Sequence, residues 1–405
     1  MRILIATWHR NIVGGTEKYL QTIIPALMKR GHQVALVYER AYDPAGETID
    51  DLEVSESWCL AELSLKDLIG HVTDWKPEII YSQGLENMHL EDALLNTFPT
   101  VLFGHGYYGT CGTGSKCHTF PRTQPCDRRF GPACVLLHYP RRCGGLNPWQ
   151  SWRTFRRQYQ RYRRLSDYKC VIVASTHMYR EFQLHGVGSG KLHLVLLPAA
   201  EGQLSPPLPK PKIPQDQILL IGRLTTAKGG HYLIPAIRQA SERLKRSLTL
   251  IVAGDGPERR NLEGLALRLN VRVNFTGRLD AARKWDLLNS IDLLAVPSLW
   301  PEPFGLVGLE AGVLGVPGVA YAVGGITEWL IPGRSGEVAP GNPPTVNGLA
   351  DAIVRALAEP DHYADLCVGA RQVSQRFSLS EHLTKIEEVL GCRNCQTHPK
   401  SSSPN

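Results

Sequence analysis

Short apolar runs separated by amphipathic stretches occur in two series along this chain, and that alternation limits its fold more than any other feature. Residues 3–6 are apolar and lead through a polar loop to Gly14, Gly15, Thr16 and Glu17. Leu20, Ile23, Ile24 and Leu27 then fall at i, i+3, i+4 and i+7, the spacing of one buried helical face. Gly31 ends that helix, and residues 33–38 read as the next strand. A strand–helix–strand opening predicts a parallel sheet. Further strands are predicted at 77–81, 100–104, 169–174 and 193–197, the last closing the first series. The second series is more regular, with strands at 218–222, 248–254, 271–276, 293–296 and 318–322 and its longest helix at 231–245.

Between the two series, Pro206, Pro207, Pro209, Pro211 and Pro214 predict an extended linker over 206–215. The 405 residues divide accordingly into a first domain at 1–205 and a second at 216–375. A helix at 376–391 is expected to pack back on the first domain, and 392–405 to be a disordered tail. Two doubly wound domains joined by a hinge place a ligand in the cleft between them, at the carboxyl ends of the strands. Hydrophobic residues at 43% and charged residues at 20% suit a globular chain rather than a disordered or fibrous one. No apolar run reaches the roughly 18 residues of a membrane span, and the run after Met1 is too short for a signal peptide. A cytoplasmic protein is expected. The 45 Lys and Arg exceed the 38 Asp and Glu by 7, a mild excess that suits a phosphate-bearing ligand or an anionic surface. No nucleic-acid module accompanies it, so no nucleic-acid partner is expected.

Two segments of the second series carry the chemistry. After the strand at 293–296 comes Pro297-Ser298-Leu299-Trp300-Pro301-Glu302-Pro303-Phe304-Gly305-Leu306, with Glu310 eight residues beyond Glu302. Prolines on both sides hold Glu302 in a loop, and Gly305 permits close backbone approach before a helix starts. The first amides of that helix, at about Phe304, Gly305 and Leu306, are unpaired donors at the positive end of its dipole and form an anion site. Carboxylates at 302 and 310 would accept from sugar hydroxyls beside it. The second segment, Gly222-Arg223-Leu224-Thr225-Thr226-Ala227-Lys228-Gly229, follows the strand at 218–222. Arg223 offers a bidentate fork and Lys228 a point charge, which suits a diphosphate.

In their order and spacing these segments resemble the retaining glycosyltransferases of family 4, which have the GT-B fold. The likeness also draws on Gly14-Gly15, Ala253-Gly254-Asp255-Gly256-Pro257, Gly277-Arg278 and Gly324-Gly325-Ile326-Thr327-Glu328, and is densest over 218–338. It implies an α/β protein of two Rossmann-like domains, the first facing the acceptor and the second binding a UDP- or GDP-sugar. By the same resemblance Arg223 and Lys228 meet the donor diphosphate, Glu302 the donor sugar and Glu310 the ribose. The amides of Gly305 and Leu306 and the backbone at Gly14, Gly15 and Gly222 line the donor, and His105 stands near the reacting sugar carbon. The implied reaction retains anomeric configuration, with no protein nucleophile and no catalytic metal. The acceptor would be a saccharide or a lipid-linked saccharide, as in polysaccharide or glycolipid biosynthesis.

Residues 104–148 interrupt the pattern. They lack helical or strand periodicity and hold Cys111, Cys117, Cys126, Cys134 and Cys143 with His118 and His138. The spacing lacks the paired CxxC of a zinc ribbon. Free thiols on an acceptor-side loop, a structural zinc, and disulfides or an iron–sulfur cluster all remain as readings. Helical spacing returns at Trp152, Phe155, Tyr159 and Tyr162, and residues 141–164 contain eight arginines and no acid. Either that stripe packs on the domain core with solvated arginines, or residues 150–164 touch an anionic membrane on its inner face.

Overall fold

The computed structural model describes residues 1–11, 14–40, 54–199 and 214–391. Residues 206–213 of the expected linker and the expected tail at 392–405 lie outside the described residues. The first domain runs through β1 (Arg2–Thr7), α1 (Gly15–Lys29), β2 (Gln33–Tyr38), β3 (Glu56–Cys59), α2 (Leu65–Trp75), β4 (Ile79–Ser82), α3 (Met88–Thr97) and β5 (Thr100–Gly104). It continues with two short strands, β6 (Cys117–His118) and β7 (Gln124–Pro125), then α4 (Ala133–Arg141), α5 (Pro148–Arg164), β8 (Cys170–Val173), α6 (Thr176–Leu184) and β9 (Leu192–Leu194). Seven of these strands form one sheet in the order β3-β2-β1-β4-β5-β8-β9, every neighbouring pair parallel.

The second domain repeats the plan. Its elements are β10 (Gln217–Ile221), α7 (Gly230–Leu244), β11 (Thr249–Ala253), α8 (Arg259–Leu269), β12 (Arg272–Gly277), α9 (Ala281–Ser290), β13 (Leu293–Val296), α10 (Leu306–Val313), β14 (Gly318–Tyr321), β15 (Gly336–Ala339), α11 (Val346–Leu357) and α12 (Pro360–Ser374). Six parallel strands lie in the order β12-β11-β10-β13-β14-β15. Helices cover both faces of such sheets, so the strands are apolar on both sides. In β1, Ile3 and Ile5 enter one core cluster while Leu4 and Ala6 enter another across the sheet. In each sheet the strand order reverses between two strands, β1 and β4 in one, β10 and β13 in the other. There the connections leave in opposite directions and open a crevice at the carboxyl ends.

A last helix, α13 (Leu379–Gly391), returns to the first domain. Glu387 takes Arg30 at 2.7 Å and His32 at 2.8 Å. His382 bridges the Leu196 carbonyl at 2.7 Å and the Tyr19 hydroxyl at 2.9 Å. Its Nδ1 must donate to that carbonyl, so Nε2 accepts from Tyr19, whose hydroxyl then accepts from Tyr81 at 2.7 Å.

Two sequence expectations need correction. The strand predicted at 193–197 is shorter, β9 at Leu192–Leu194, with one further rung from the Val195 amide to the Val173 carbonyl at 2.9 Å. The segment 104–148 is not irregular throughout, because it contains the antiparallel β6–β7 pair and α4. The apolar residues of α4 stand side by side in sequence, so they give no amphipathic period. None of its residues is buried.

Candidate active site

The loop after β10 and the loop after β13 meet at the crevice of the second sheet and are stitched together by backbone. The Leu299 amide donates to the Ala227 carbonyl at 2.8 Å. Gly229 turns with φ of +70°, and a Cβ there would lie 1.9 Å from the Pro297 carbonyl oxygen. Glycine is the residue that permits both the left-handed turn and this approach. The stitch brings Lys228 and Glu302 together, Nζ to Oε1 at 2.5 Å, although they are 74 residues apart. Ser298 and the Trp300 indole also donate to Oε1, at 2.6 and 2.9 Å. Glu302 is only 6% exposed, which three charge-assisted or polar donors make tolerable. All three contacts fall on one oxygen, and Oε2 receives none of them.

The helix beyond begins at Leu306, with Gly305 as its cap at φ of +86°. Phe304 therefore stands outside the helix, and its carbonyl accepts the Trp329 indole at 2.9 Å. The expected amide donors narrow to Gly305, Leu306 and those just after them. Trp329 packs against the faces of Gly305 and Gly308, where a Cβ at 308 would lie 2.3 Å from its ring. Glu310, on the second turn of α10, accepts from Lys284 of α9 at 2.6 Å. Arg223 is exposed and makes no hydrogen bond or ion pair among the described residues.

Among the contacts by which the first domain reaches this site are three that sequence reasoning missed. Tyr107 donates to the Pro301 carbonyl at 2.7 Å and sets its ring 6.2 Å from that of Trp300. Ser175 donates to the Pro303 carbonyl at 2.7 Å. The Thr176 amide, at the positive end of α6, donates to the Glu328 carboxylate at 2.6 Å. Glu328 and Trp300 lay inside recognised motifs, but nothing local in the sequence pairs them with residues more than 150 positions away.

Gly14 and Gly15 line a cavity of about 220 Å³ at the crevice of the first sheet, with Thr7, Gln83, Gly84 and Tyr108. The Gly14 amide donates to Glu17 at 2.8 Å, fixing the start of α1. His105 follows β5 and bonds Gln83 through Nε2 at 2.7 Å. The Gln83 amide nitrogen is committed to the Tyr81 carbonyl, so its oxygen accepts and His105 Nε2 carries the proton. Burial, with a smaller push from His382, holds His105 down to about 3, and it is neutral at ordinary pH.

Comparisons with known proteins agree with this geometry. Residues 209–373 match the family described as Glycosyl transferases group 1. Over 240 residues the chain is 32% identical to a D-inositol 3-phosphate glycosyltransferase of Xylanimonas cellulosilytica, covering 54% of this chain and 56% of that relative. The chain thus spans about half the length of that relative. It is 25% identical to a glycogen synthase of Mycobacterium tuberculosis over 100% of this chain and 98% of that one. Anabaena HepE, solved with UDP and glucose, superposes with a TM-score of 0.66 at 20% identity, covering 96% of this chain and 99% of its own. The fold is GT-B.

The cysteine-rich segment stands against the loop after β13, where the Cys117 thiol donates to the Leu299 carbonyl at 3.9 Å. Cys111, Cys117, Cys126, Cys134 and Cys143 all line one cavity of about 200 Å³. Among the described residues no three of His, Cys, Asp and Glu are grouped to hold a metal ion, and these five thiols are free. Burial pushes Cys117 up to about 12 and Cys143 up to about 11, so both stay protonated. The arginines of 150–164 divide into an engaged set and an exposed set. Arg161 is buried on the Leu85 carbonyl and over Tyr108, Arg164 pairs with Asp92, and Arg157 with Glu86. Arg153, Arg156 and Arg163 are exposed, as are Trp152 and Tyr159.

Proposed function

We propose that this protein is a retaining glycosyltransferase that moves a sugar from a UDP- or GDP-sugar to an acceptor hydroxyl, in polysaccharide, lipid-linked saccharide or glycolipid biosynthesis. The observation that carries this reading is the stitched pair of loops at the crevice of the second sheet. It sets Lys228 on Glu302 in the loop that leads into α10, against Tyr107 of the other domain, with Arg223 exposed on the same loop as Lys228. The donor diphosphate sits on Arg223, Lys228 and the amides of Gly305 and Leu306, and the Gly222 turn keeps the backbone clear of it. Glu302 Oε2 accepts from the sugar, because its other oxygen is fully engaged. Glu310, held by Lys284, accepts from the ribose.

The acceptor oxygen attacks the anomeric carbon on the face from which the diphosphate departs. The bond from that carbon to the diphosphate oxygen breaks, and the departing phosphate takes the acceptor proton. Negative charge gathers on the leaving phosphate, and Arg223 and Lys228 neutralise it in a cleft sheltered from water. The sugar ring gains positive character, which the Glu302 carboxylate favours. His105, neutral with Nδ1 unprotonated, offers an acceptor to a sugar hydroxyl and adds no competing charge. The two cations do the work of a divalent ion, so none is required. Residues 150–164 rest on an anionic membrane from the cytoplasmic side.

The test is a panel of UDP- and GDP-sugars scored by thermal shift, then by glycoside formation, with and without a brief exposure to EDTA. One donor should raise the melting temperature and yield glycoside at unchanged rate in EDTA. Donor binding with release only of free sugar, epimer or sugar phosphate would overturn the transferase assignment. Immediate loss restored by magnesium or manganese would overturn metal independence.

A further inference from the structure

Apart from His105 and Tyr107, the segment between β5 and β8 has no part in the proposed donor reaction. Its helix α4 buries no residue at all, and α5 buries only Gln158 and Arg161 of its seventeen. Leu136 is 80% exposed, Trp149 69% and Trp152 53%, with Val135, Tyr139 and Tyr159 exposed beside them. A contiguous apolar surface of this kind on a globular protein marks a binding face. Between α4 and α5 it opens into the cavity of about 200 Å³, whose wall holds the five cysteines with Leu137 and Phe155. A free, protonated cysteine packs as a small apolar residue. The cavity is thus apolar within, and larger than the roughly 150 Å³ pocket that suffices to take up benzene.

Charge supplies the second half of the argument. Arg128 and Arg141 line the same cavity, and no acid does. Across residues 104–164 eleven arginines and one lysine face a single acid, Asp127. Arg128, Arg141, Arg153, Arg156 and Arg163 make no ion pair among the described residues. An apolar cavity with guanidinium groups in its wall complements a hydrocarbon chain that ends in phosphate. Cys117, also in the cavity wall, touches Leu299 of the loop after β13.

We infer that the cavity between α4 and α5 binds the hydrocarbon chain of a phosphate-bearing lipid acceptor, with Arg128 and Arg141 taking the phosphate. The inference rests on the glycosyltransferase reading and deepens it by naming the acceptor class. The chain is drawn from the membrane under α4 and α5, and the saccharide end faces the donor loop.

The cavity thiols are built-in reporters. Alkylation of Cys111 and Cys134 by N-ethylmaleimide, followed by mass spectrometry, is measured with decyl phosphate below its micelle concentration, with decanol, and with inorganic phosphate. At about five times its Kd, a ligand leaves about one sixth of the sites open, so decyl phosphate should slow both thiols about sixfold. Inorganic phosphate should leave them unchanged, decanol should protect less, and Arg141→Gln should reduce decyl phosphate to the decanol level. Unchanged rates with decyl phosphate would overturn the inference. So would equal slowing of Cys59 and Cys170 in the sheet core, or protection that follows protein concentration without lipid, which would mark a second copy as the occupant. Thermal shift by the nucleotide-sugar panel is read on the same samples. Its failure beside intact thiol protection would condemn the transferase reading and leave the lipid cavity standing.

Discussion

The loops leaving β10 and β13 and the segment between β5 and β8 face the same cleft and are built in opposite ways. In the donor loops a buried carboxylate meets three donors, glycines sit under backbone and indole, and two loops share a hydrogen bond. In the other segment, helices expose their apolar residues and arginines stand unpaired among the described residues. The first region satisfies its own polar groups and so holds its geometry in advance, as electrostatic catalysis requires. The second leaves apolar area and charge to be satisfied by something else. Pre-organisation belongs to the loops after β10 and β13, and adaptability to the segment between β5 and β8.

The sharpest way to break this comparison is a methyl group. Gly229→Ala forces a left-handed backbone on alanine and drives Cβ into the Pro297 carbonyl. We expect it to cost about 2–5 kcal/mol in stability and to abolish transfer. In the cysteine-rich segment, Gly145→Ala meets nothing within 4 Å and should change the melting temperature hardly at all. Thermal melts of both decide it, and equal, small effects would mean the donor loops are not close-packed.

Next in size, Arg223→Ala and Lys228→Ala should each lower turnover about 10²-fold or more by removing a charge from the leaving phosphate. They should part in stability. Arg223 is exposed, whereas Lys228 neutralises a buried carboxylate, so only Lys228→Ala should also lose about 1–3 kcal/mol of folding stability. Kinetics and melts on both variants test this, and wild-type turnover in either removes that residue from the diphosphate site.

Acid should act mainly on the first domain. Burial holds His105 down to about 3, and His185 and His382 to about 4. A histidine kept neutral in the folded chain stabilises it above the unfolded value near 6.5 and loses that contribution as pH falls toward the folded value. Glu39 works the other way. Burial raises it to about 7, and its contribution is lost as pH rises through that value. Three histidines against one carboxylate predict a net loss of about 3 kcal/mol between pH 6.5 and 5. Denaturant melts across that range check it, and a flat or rising stability would show that these histidines are not held neutral.

The smallest effect divides the donor site itself. Glu302→Gln should lower turnover more than affinity for the bare nucleotide diphosphate, since the carboxylate faces the sugar that gains positive charge. Glu310→Gln should weaken donor and nucleotide diphosphate alike, by about 1–3 kcal/mol. Calorimetric titration beside steady-state kinetics separates them. Lost nucleotide diphosphate affinity in Glu302→Gln with affinity kept in Glu310→Gln would reverse the two roles.

What the sequence determined by itself is whatever lies within one strand–loop–helix unit. Periods of 2 and 3.6 mark the elements, and glycine and proline mark the loops, because those signals act over a few residues. That is enough for two parallel-sheet domains and for the loops that carry Arg223, Lys228, Glu302 and Glu310. Only the tertiary structure decided which charges meet. Lys228 and Glu302, Tyr107 and Pro301, and Thr176 and Glu328 are separated by 74, 194 and 152 residues. The reversal of strand order in each sheet brings their loops to one cleft. The five cysteines show the same limit, because they stand up to 32 positions apart in the chain and only the packing of the backbone sets all five on the wall of one cavity.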